Sequence, residues 1–249
     1  MRRAAALLAA TLACAAHTRA QARAAAGADS LVVRAFELET SKPREAIALY
    51  RRALAGETAV AALLGLERVF HDQQQVDSLV PLAAQVVRER PRDAVARTVQ
   101  LRTFAMLRRD DELRGAFREW ARSAPGEAAP FKEYARTLLD LGRAEAADSV
   151  LELATRVIRD PRDFTAELAQ VAAARGRWDD AARRWRGALA IEPALEGAAT
   201  ASLVQAPAEA RDTIRAGLAT PPVVAARATL AQLELAWGLP RRGWAALAE

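Results

Sequence analysis

Apolar residues recur along this chain at intervals of three and four, and each such run leads to a point where a helix must end. Upstream of Gly142 stand Phe131, Tyr134 and Leu138. This spacing places the three side chains on one face of an α-helix, and a glycine is well suited to the reversed turn that follows. The pattern predicts one helix before Gly142 and a second helix after it. The corresponding apolar positions elsewhere are Thr165, Leu168, Ala169 and Ala172 before Gly176, and Leu63, Leu66 and Phe70 further upstream.

The second helices share a pattern of their own. A small residue, Ala181, is followed four places later by the bulky Trp185 and eight places after that by Pro193, which ends the helix. Steps of about 34 residues lead back through four more copies, so five consecutive copies keep one phase and predict antiparallel helix pairs. The earlier positions are Ala147 and Leu151, then Leu113, Phe117 and Pro125, then Leu79, Ala83 and Pro91, then Ala46 and Tyr50.

Some copies depart from the pattern. Leu79 and Ala83 exchange the small and bulky positions, which conserves their summed volume. Pro161 comes ten residues after Leu151 instead of eight, which predicts a slightly longer second helix. In the sixth copy the step from Ala181 to Ala210 is five positions too short and Pro207 intervenes, so we expect a shortened first helix and a local kink. Ile214 and Pro222 continue that copy, and a seventh contains Leu230, Ala231, Gly238 and Gly243.

The segment from Leu168 to Pro193 resembles the tetratricopeptide repeat, because Gly176, Trp178, Ala181, Trp185, Ala188 and Pro193 match its length, its small positions and its turn. The resemblance implies an all-α solenoid with a right-handed superhelix of about six to seven repeats. It also implies a concave groove lined by the first helices. No Gly/Ser-rich or Pro-rich linker divides residues 30–249, so we predict a single domain whose last repeat is incomplete.

The N-terminus has the composition of a secretory signal peptide. Basic residues at Arg2 and Arg3 precede an apolar run from Ala4 to Ala16, and small residues follow up to Ala20. The run is shorter than the roughly 20 residues that span a bilayer. We therefore predict cleavage near Ala20, a short linker over 21–29, and export to the periplasm or cell envelope of a bacterium.

Cys14 is the only cysteine, and it lies within this segment. The stretch from Thr11 to Cys14 loosely resembles the lipobox of bacterial lipoproteins, although Thr11 replaces the leading leucine of that motif. Two outcomes therefore stay open. Lipidation would attach the protein to a membrane at Cys14, whereas cleavage near Ala20 leaves no thiol for a disulfide, a zinc site or a nucleophile.

The net charge of +5 does not indicate a nucleic-acid partner. Removal of Arg2, Arg3 and Arg19 with the signal peptide leaves 33 basic residues against 31 acidic ones. The high isoelectric point reflects abundant arginine, and only Lys42 and Lys132 are lysines. This near balance does not favour binding to DNA or RNA.

Candidate chemistry is sparse. His71 is the only histidine of the mature chain, and neither a phosphate loop nor a metal-ligand motif occurs, so we predict no enzyme activity, no cofactor and no metal. The pairs Asp110-Asp111 and Asp179-Asp180 open second helices, where acidic side chains cap free N–H groups. We expect Trp120, Trp178, Trp185 and Trp244 to pack in the core rather than bind a sugar or base.

Arg68, Arg102 and Arg136 occupy one equivalent position of three successive first helices. The resemblance places that position in the groove, where guanidinium groups would receive acidic side chains or a free C-terminus. The alternative is that each arginine pairs with a Glu or Asp of a neighbouring helix. The other groove residues predicted here are His71, Thr98, Met106, Lys132 and Gln170.

The sequence thus predicts a non-catalytic exported scaffold that binds a peptide or protein. Two further hypotheses remain: a lipid-anchored component of an envelope assembly or secretion complex, and the N-terminal binding module of a larger, truncated protein. The last repeat stops at Glu249 inside its second helix. Since a solenoid normally needs a polar cap, we expect either a homodimer through Trp237 and Trp244 or a truncated sequence.

Overall fold

In the computed structural model, residues 29–248 are described, and within them the chain forms fourteen α-helices, arranged as seven successive pairs. This arrangement confirms the all-α repeat architecture and the number of repeats that the sequence predicts. The helices are α1 over 29–38, α2 Pro43–Ala53, α3 Ala59–Asp72, α4 Leu79–Glu89, α5 Ala94–Met106, α6 Asp110–Ser123, α7 Ala129–Asp140, α8 Ala144–Val157, α9 Thr165–Ala174, α10 Trp178–Ile191, α11 Glu196–Leu203, α12 Arg211–Ala219, α13 Val224–Ala236 and α14 Pro240–Ala248.

The predicted signal peptide, Cys14 and residues 21–28 of the predicted linker lie outside the described residues. Residue 29, which we assigned to the linker, is already helical. The chain divides into two compact units, and we call the part up to Ser123 the N-terminal unit and the part from Ala124 the C-terminal unit. The N-terminal unit contains repeats 1 to 3, and the C-terminal unit contains repeats 4 to 7.

Five of the seven helix pairs are joined by the same turn. In each of these turns one residue has positive φ, between 55° and 79°, and four of the five positions follow one another at a single repeat length. The N–H of the next residue donates to a carbonyl five residues back, as Arg177 does to Ala172 at 2.8 Å, which is the Schellman motif. Gly142 and Gly176 were predicted in this role. The five positions are Gln74, Arg108, Gly142, Gly176 and Gly238.

The predicted small and bulky positions of the second helices are buried in all five copies that keep one phase. Ala181 and Trp185 are fully buried, and so are Leu79 and Ala83, whose exchanged sizes still fill the layer. These side chains pack against the apolar face of the first helix, where Leu66, Phe70 and Leu138 are buried as well. The hydrophobic core of each unit therefore follows the repeat pattern of the sequence.

The expectation of a longer second helix before Pro161 is wrong. Helix α8 has 14 residues, the same as α10, and both of its ends lie one repeat length before the corresponding ends of α10. The two additional residues lie in the connection after Val157, because Ile158 adopts an extended backbone and a 3₁₀ turn begins at Pro161. The insertion thus lengthens the loop and leaves the helix pair unchanged.

Repeat 6 is shortened as predicted, although the chain turns where we expected a kink. Helix α11 has only eight residues and ends at Leu203. Pro207 lies in the connection, followed by a 3₁₀ turn at Ala208–Ala210, so α12 begins only at Arg211. Ala210 therefore lies just before the second helix rather than inside it.

Repeat 7 contains Trp237 and Trp244, and the structure places these two tryptophans in different surroundings. The Trp237 indole N–H donates to the Val204 carbonyl at 3.1 Å, and the guanidinium carbons of Arg211 and Arg215 lie 5.0 and 5.5 Å from its ring centroid. Trp237 is thus held by contacts within the C-terminal unit, and the homodimer through Trp237 and Trp244 stays a prediction. Trp244, expected in the core, is 73% exposed, because no helix among the described residues packs over this side of α14.

The acidic pair at the start of α10 also acts differently from the prediction. No side chain caps the N-terminus of this helix; instead Asp179 pairs with Arg183 at 2.6 Å, and Asp180 pairs with Arg184 at 2.8 Å. Both carboxylates still lie in the first turn, where they favour the helix dipole. Their role remains architectural.

Candidate functional site

Arg68, the first of the predicted groove arginines, is bound within the N-terminal unit. Its Nη2 donates to Glu39 Oε1 at 2.6 Å and its Nε donates to Glu39 Oε2 at 3.3 Å. The Tyr50 hydroxyl donates to the same carboxylate at 2.5 Å, and the guanidinium lies 5.6 Å from the Phe36 ring centroid. One carboxylate thus joins the arginine of α3 to the tyrosine of α2.

The pKa values of Tyr50 and Arg68 in this cluster are both raised. Burial raises the pKa of the Tyr50 hydroxyl, and its hydrogen bond to Glu39 raises it further. The hydrogen bond to Glu39 also raises the pKa of Arg68. These shifts favour the neutral form of the Tyr50 hydroxyl and the charged form of the Arg68 guanidinium.

Arg102 forms the corresponding pair one repeat later. Its Nε and Nη2 donate to the two carboxylate oxygens of Glu67 at 2.8 and 2.6 Å, in the bidentate geometry that gives the strongest ion pairs. The pair joins α5 to α3. Because about half of the Arg102 side chain is exposed, water screens this interaction and it contributes little to stability.

In the C-terminal unit, the two predicted basic residues of α7 also have glutamate partners. Lys132 Nζ lies 3.3 Å from Glu167 of α9 and 6.0 Å from the Phe164 ring centroid, and Arg136 lies 3.5 Å from Glu133 of its own helix. All four basic side chains are therefore paired within the fold. For Arg68 and Arg102 this result favours the alternative in which each arginine pairs with an acidic residue outside its own helix, whereas the partner of Arg136 lies in the same helix. Binding of an acidic partner stays a prediction.

The remaining predicted groove residues differ in their exposure and in their hydrogen bonds. Thr98 uses its hydroxyl to donate to the Ala94 carbonyl of its own helix at 2.8 Å. His71 and Met106 are exposed near the ends of α3 and α5, and His71 Nδ1 is 3.8 Å from the Asp72 carboxylate. Gln170 lines a pocket of the C-terminal unit.

This pocket lies in the C-terminal unit and has a volume of about 380 Å³. We call it the amide pocket and define it by seven residues from four helices and the turns beside them. Three first helices, α7, α9 and α11, contribute five of these seven residues. The seven residues are Leu139, Gln170, Ala173, Ala174, Trp178, Ser202 and Gln205.

The local sequence explains why a pocket forms here. Helix α9 ends with three alanines, Ala172 to Ala174, whose short side chains leave space above its last turn. The chain then turns at Gly176, with φ of 71°, and brings Trp178 back beside that space. A Cβ atom at Gly176 would lie 3.9 Å from Trp178 Nε1, so the indole closes over the turn.

The polar groups of the amide pocket are uncharged and uncommitted. Within the described residues, the side chains of Gln170, Trp178, Ser202 and Gln205 form no hydrogen bond to another group of the protein. Two carboxamides, a hydroxyl and an indole N–H together offer both donors and acceptors. The arrangement can therefore bind a ligand through neutral hydrogen bonds around an apolar floor.

Sequence reasoning identified Gln170 and missed the rest of the amide pocket. One signal was present: Gln170 stands one repeat length after Arg136, so it continues the series of Arg68, Arg102 and Arg136 with a neutral side chain. Ser202 and Gln205 carried no such signal, because repeat 6 is out of phase with the repeats before it.

The described residues contain no group of three or more His, Cys, Asp or Glu side chains placed to hold a metal ion. Among them there is also no helix with the length and apolar character needed to cross a membrane.

No family model matches the chain, and no curated protein matches it either. Solved structures that it resembles include TTC0263, a thermophilic TPR protein in Thermus thermophilus, with a TM-score of 0.48, 19% identity, 71% of this chain covered and 99% of that one. A tetratricopeptide repeat protein from Parabacteroides merdae has a TM-score of 0.45, 11% identity, and 88% and 90% coverage. YrrB, described as a TPR protein with an unusual peptide-binding site, has a TM-score of 0.40, 11% identity, and 80% and 98% coverage.

The fold itself rests on the helices and turns of this chain. Helix pairs recur at one constant interval over repeats 2 to 5, and the same Schellman turn joins the two helices of each of these pairs. Small and bulky residues alternate at the predicted buried positions. By this geometry, the described part of the chain is an all-α array of helix pairs whose turns recur every 34 residues over repeats 2 to 5.

Proposed function

We propose that this protein is a non-catalytic exported scaffold that binds a peptide segment of a partner protein on the first helices of its C-terminal unit. The observation that carries this proposal is the amide pocket, which places uncommitted hydrogen-bonding groups around an apolar floor. Peptides carry N–H and C=O groups along their whole length, so they match such a surface well. After cleavage of the predicted signal peptide, the sequence has one histidine, His71, and no cysteine, which supports a binding role rather than an enzyme.

Peptide binding can be tested with a displayed library of random peptides, selected on the immobilised full-length chain. Ala174 is exposed and lines the pocket at the end of α9, so Ala174→Arg fills the space and removes no contact with the core. Ala190 is exposed near the end of α10 and does not line the pocket, so Ala190→Arg is the matched control.

We expect selected peptides to lose about tenfold or more in affinity for Ala174→Arg, and to bind Ala190→Arg like the unchanged protein. Fluorescence anisotropy with labelled peptides measures both affinities. Failure to select any peptide would contradict the function, whereas peptides that bind Ala174→Arg normally would contradict the site.

Export is a separate part of the proposal, and it rests on the residue pattern of positions 1–20. Mass spectrometry of the protein purified from a bacterial envelope fraction tests it. An N-terminus near Gln21 supports a cleaved signal peptide, whereas an acylated N-terminal Cys14 supports the lipid-anchored alternative. An intact Met1 in the purified protein would contradict both.

A further inference from the structure

We propose that the amide pocket selects an uncharged, apolar side chain of its peptide and binds the adjoining peptide main chain through Gln170 and Gln205. This inference rests on the proposed function and specifies the partner. It differs from the acidic partner that the arginine series predicts. Three features of the C-terminal unit carry it.

The first feature is the apolar floor. The lining residues Leu139 of α7 and Ala173 and Ala174 of α9 have hydrocarbon side chains. The volume of about 380 Å³ lies near the lower end of the roughly 300–1,000 Å³ range of ligand pockets, which suits a side chain rather than a large ligand. A charged side chain placed there would lose its hydration without gaining a counter-charge.

The second feature is that the nearest charged side chains are paired within the protein. Arg175 and Arg177, close after the floor residue Ala174, both donate to the Asp148 carboxylate, Arg177 at 3.0 Å. Asp148 is itself buried in α8. Since these arginines are committed to an internal acid, they do not make the pocket attractive to an acidic partner.

The third feature is the spacing of the neutral groups. Gln170 and Ala174 are four residues apart on one face of α9, which corresponds to about 6 Å along the helix. An extended peptide advances about 3.3 Å per residue. A side chain held over Ala174 therefore places a main-chain amide about two residues away beside Gln170, where a carboxamide can both donate and accept.

A sugar is the other class of ligand that an aromatic ring with amides could suggest. Trp178 is partly buried and packs against the hydrophobic core of the C-terminal unit, which leaves less of its ring available for stacking on a sugar. The floor of Leu139 and Ala173 offers no partner for sugar hydroxyl groups. Both observations favour a peptide.

The test uses one peptide selected on the full-length chain, with each position changed in turn to Ala, Glu and Lys. We expect one apolar position at which Glu and Lys each lower the affinity about tenfold or more, and we expect this penalty to vanish in Ala174→Arg. Gln170→Ala and Gln205→Ala should each lower the affinity severalfold, as the loss of one neutral hydrogen bond does. Gln73→Ala, a change of an exposed glutamine at the end of α3 in the N-terminal unit, is the control.

A second readout locates the peptide. The indole N–H signal of Trp178 in a ¹⁵N-labelled protein, assigned by its loss in Trp178→Phe, should shift when the peptide saturates the site. An essential acidic residue in the peptide would overturn this inference and leave the proposed function standing. A shift of the same signal by chitotriose, with none by the peptide, would overturn it in favour of a sugar.

Discussion

Gly65 lies in the middle of α3, where glycine is usually unfavourable, and the reason is the neighbouring Tyr50. The Tyr50 ring of α2 packs directly on the glycine backbone, and a Cβ atom at position 65 would overlap it. Its hydroxyl reaches Glu39 beyond this contact. By contrast, Gly115 in α6 is exposed, and a Cβ atom there would meet no other group within 4 Å.

Substitution by alanine should destabilise the protein at Gly65 and stabilise it at Gly115. Gly65→Ala forces the Tyr50 ring to move, and we expect a loss of about 1–3 kcal/mol in the free energy of unfolding. Gly115→Ala relieves only the helix penalty of glycine and should gain about 0.5–1 kcal/mol. Urea denaturation followed by circular dichroism measures both. Equal effects of the two changes would contradict the close packing at Gly65.

At this scale, the sequence predicted which positions are buried and did not predict their partners. Ala181 and Trp185 follow from their place in the repeat, because burial depends on the helix face. The pairs of Arg68 with Glu39 and of Arg102 with Glu67 depend on side-chain geometry between helices that are far apart in sequence. Arginine is so abundant here that its spacing could not distinguish an internal pair from a binding site.

The turn between the two helices of a repeat has one geometry and several sequences. Gly142 and Gly176 adopt positive φ without steric cost, whereas Gln74 and Arg108 adopt φ of 56° and 55° at the equivalent position. A side chain in this left-handed region is unfavourable by about 1–2 kcal/mol. Helices α3 and α5 therefore end in the same Schellman turn as α7 and α9, but at a cost in free energy.

Replacing Arg108 with glycine should stabilise the protein by about 1 kcal/mol, because the strain at positive φ disappears. The control Arg108→Ala removes the same charge and keeps a Cβ atom, so it should gain much less. Gly142→Ala should lose about 1 kcal/mol, because it introduces the same strain. Thermal unfolding by calorimetry compares the three variants. A gain from Arg108→Ala as large as that from Arg108→Gly would show that charge, and not backbone conformation, is responsible.

At the level of helices, periodicity predicted the number and order of the helix pairs, and errors arose where residues were inserted or deleted. The two extra residues before Pro161 could have extended α8 or its loop, and spacing alone does not distinguish these outcomes. Likewise, aspartate often caps the start of a helix, but Asp179 and Asp180 pair with Arg183 and Arg184 one turn later instead.

At the scale of the whole chain, one position of the repeat changes from a charged to a neutral side chain. It is arginine at 68, 102 and 136 and glutamine at 170, and the arginines are paired with glutamates whereas Gln170 lines the amide pocket. The sequence analysis predicted binding at this position and gave the leading role to the arginines, with Gln170 as a neighbouring groove residue. The neutral members Ser202 and Gln205 belong to the shortened repeat 6, where the constant repeat length no longer applies.

The most direct test of this account is hydrogen–deuterium exchange of the full-length chain with and without a selected peptide. We predict slower exchange in the segments covering residues 170–178 and 202–206, which contain most of the amide pocket, and no change around Arg68 and Arg102. Protection confined to α3 and α5 would contradict the account, because it would assign binding to the arginine-bearing helices of the N-terminal unit.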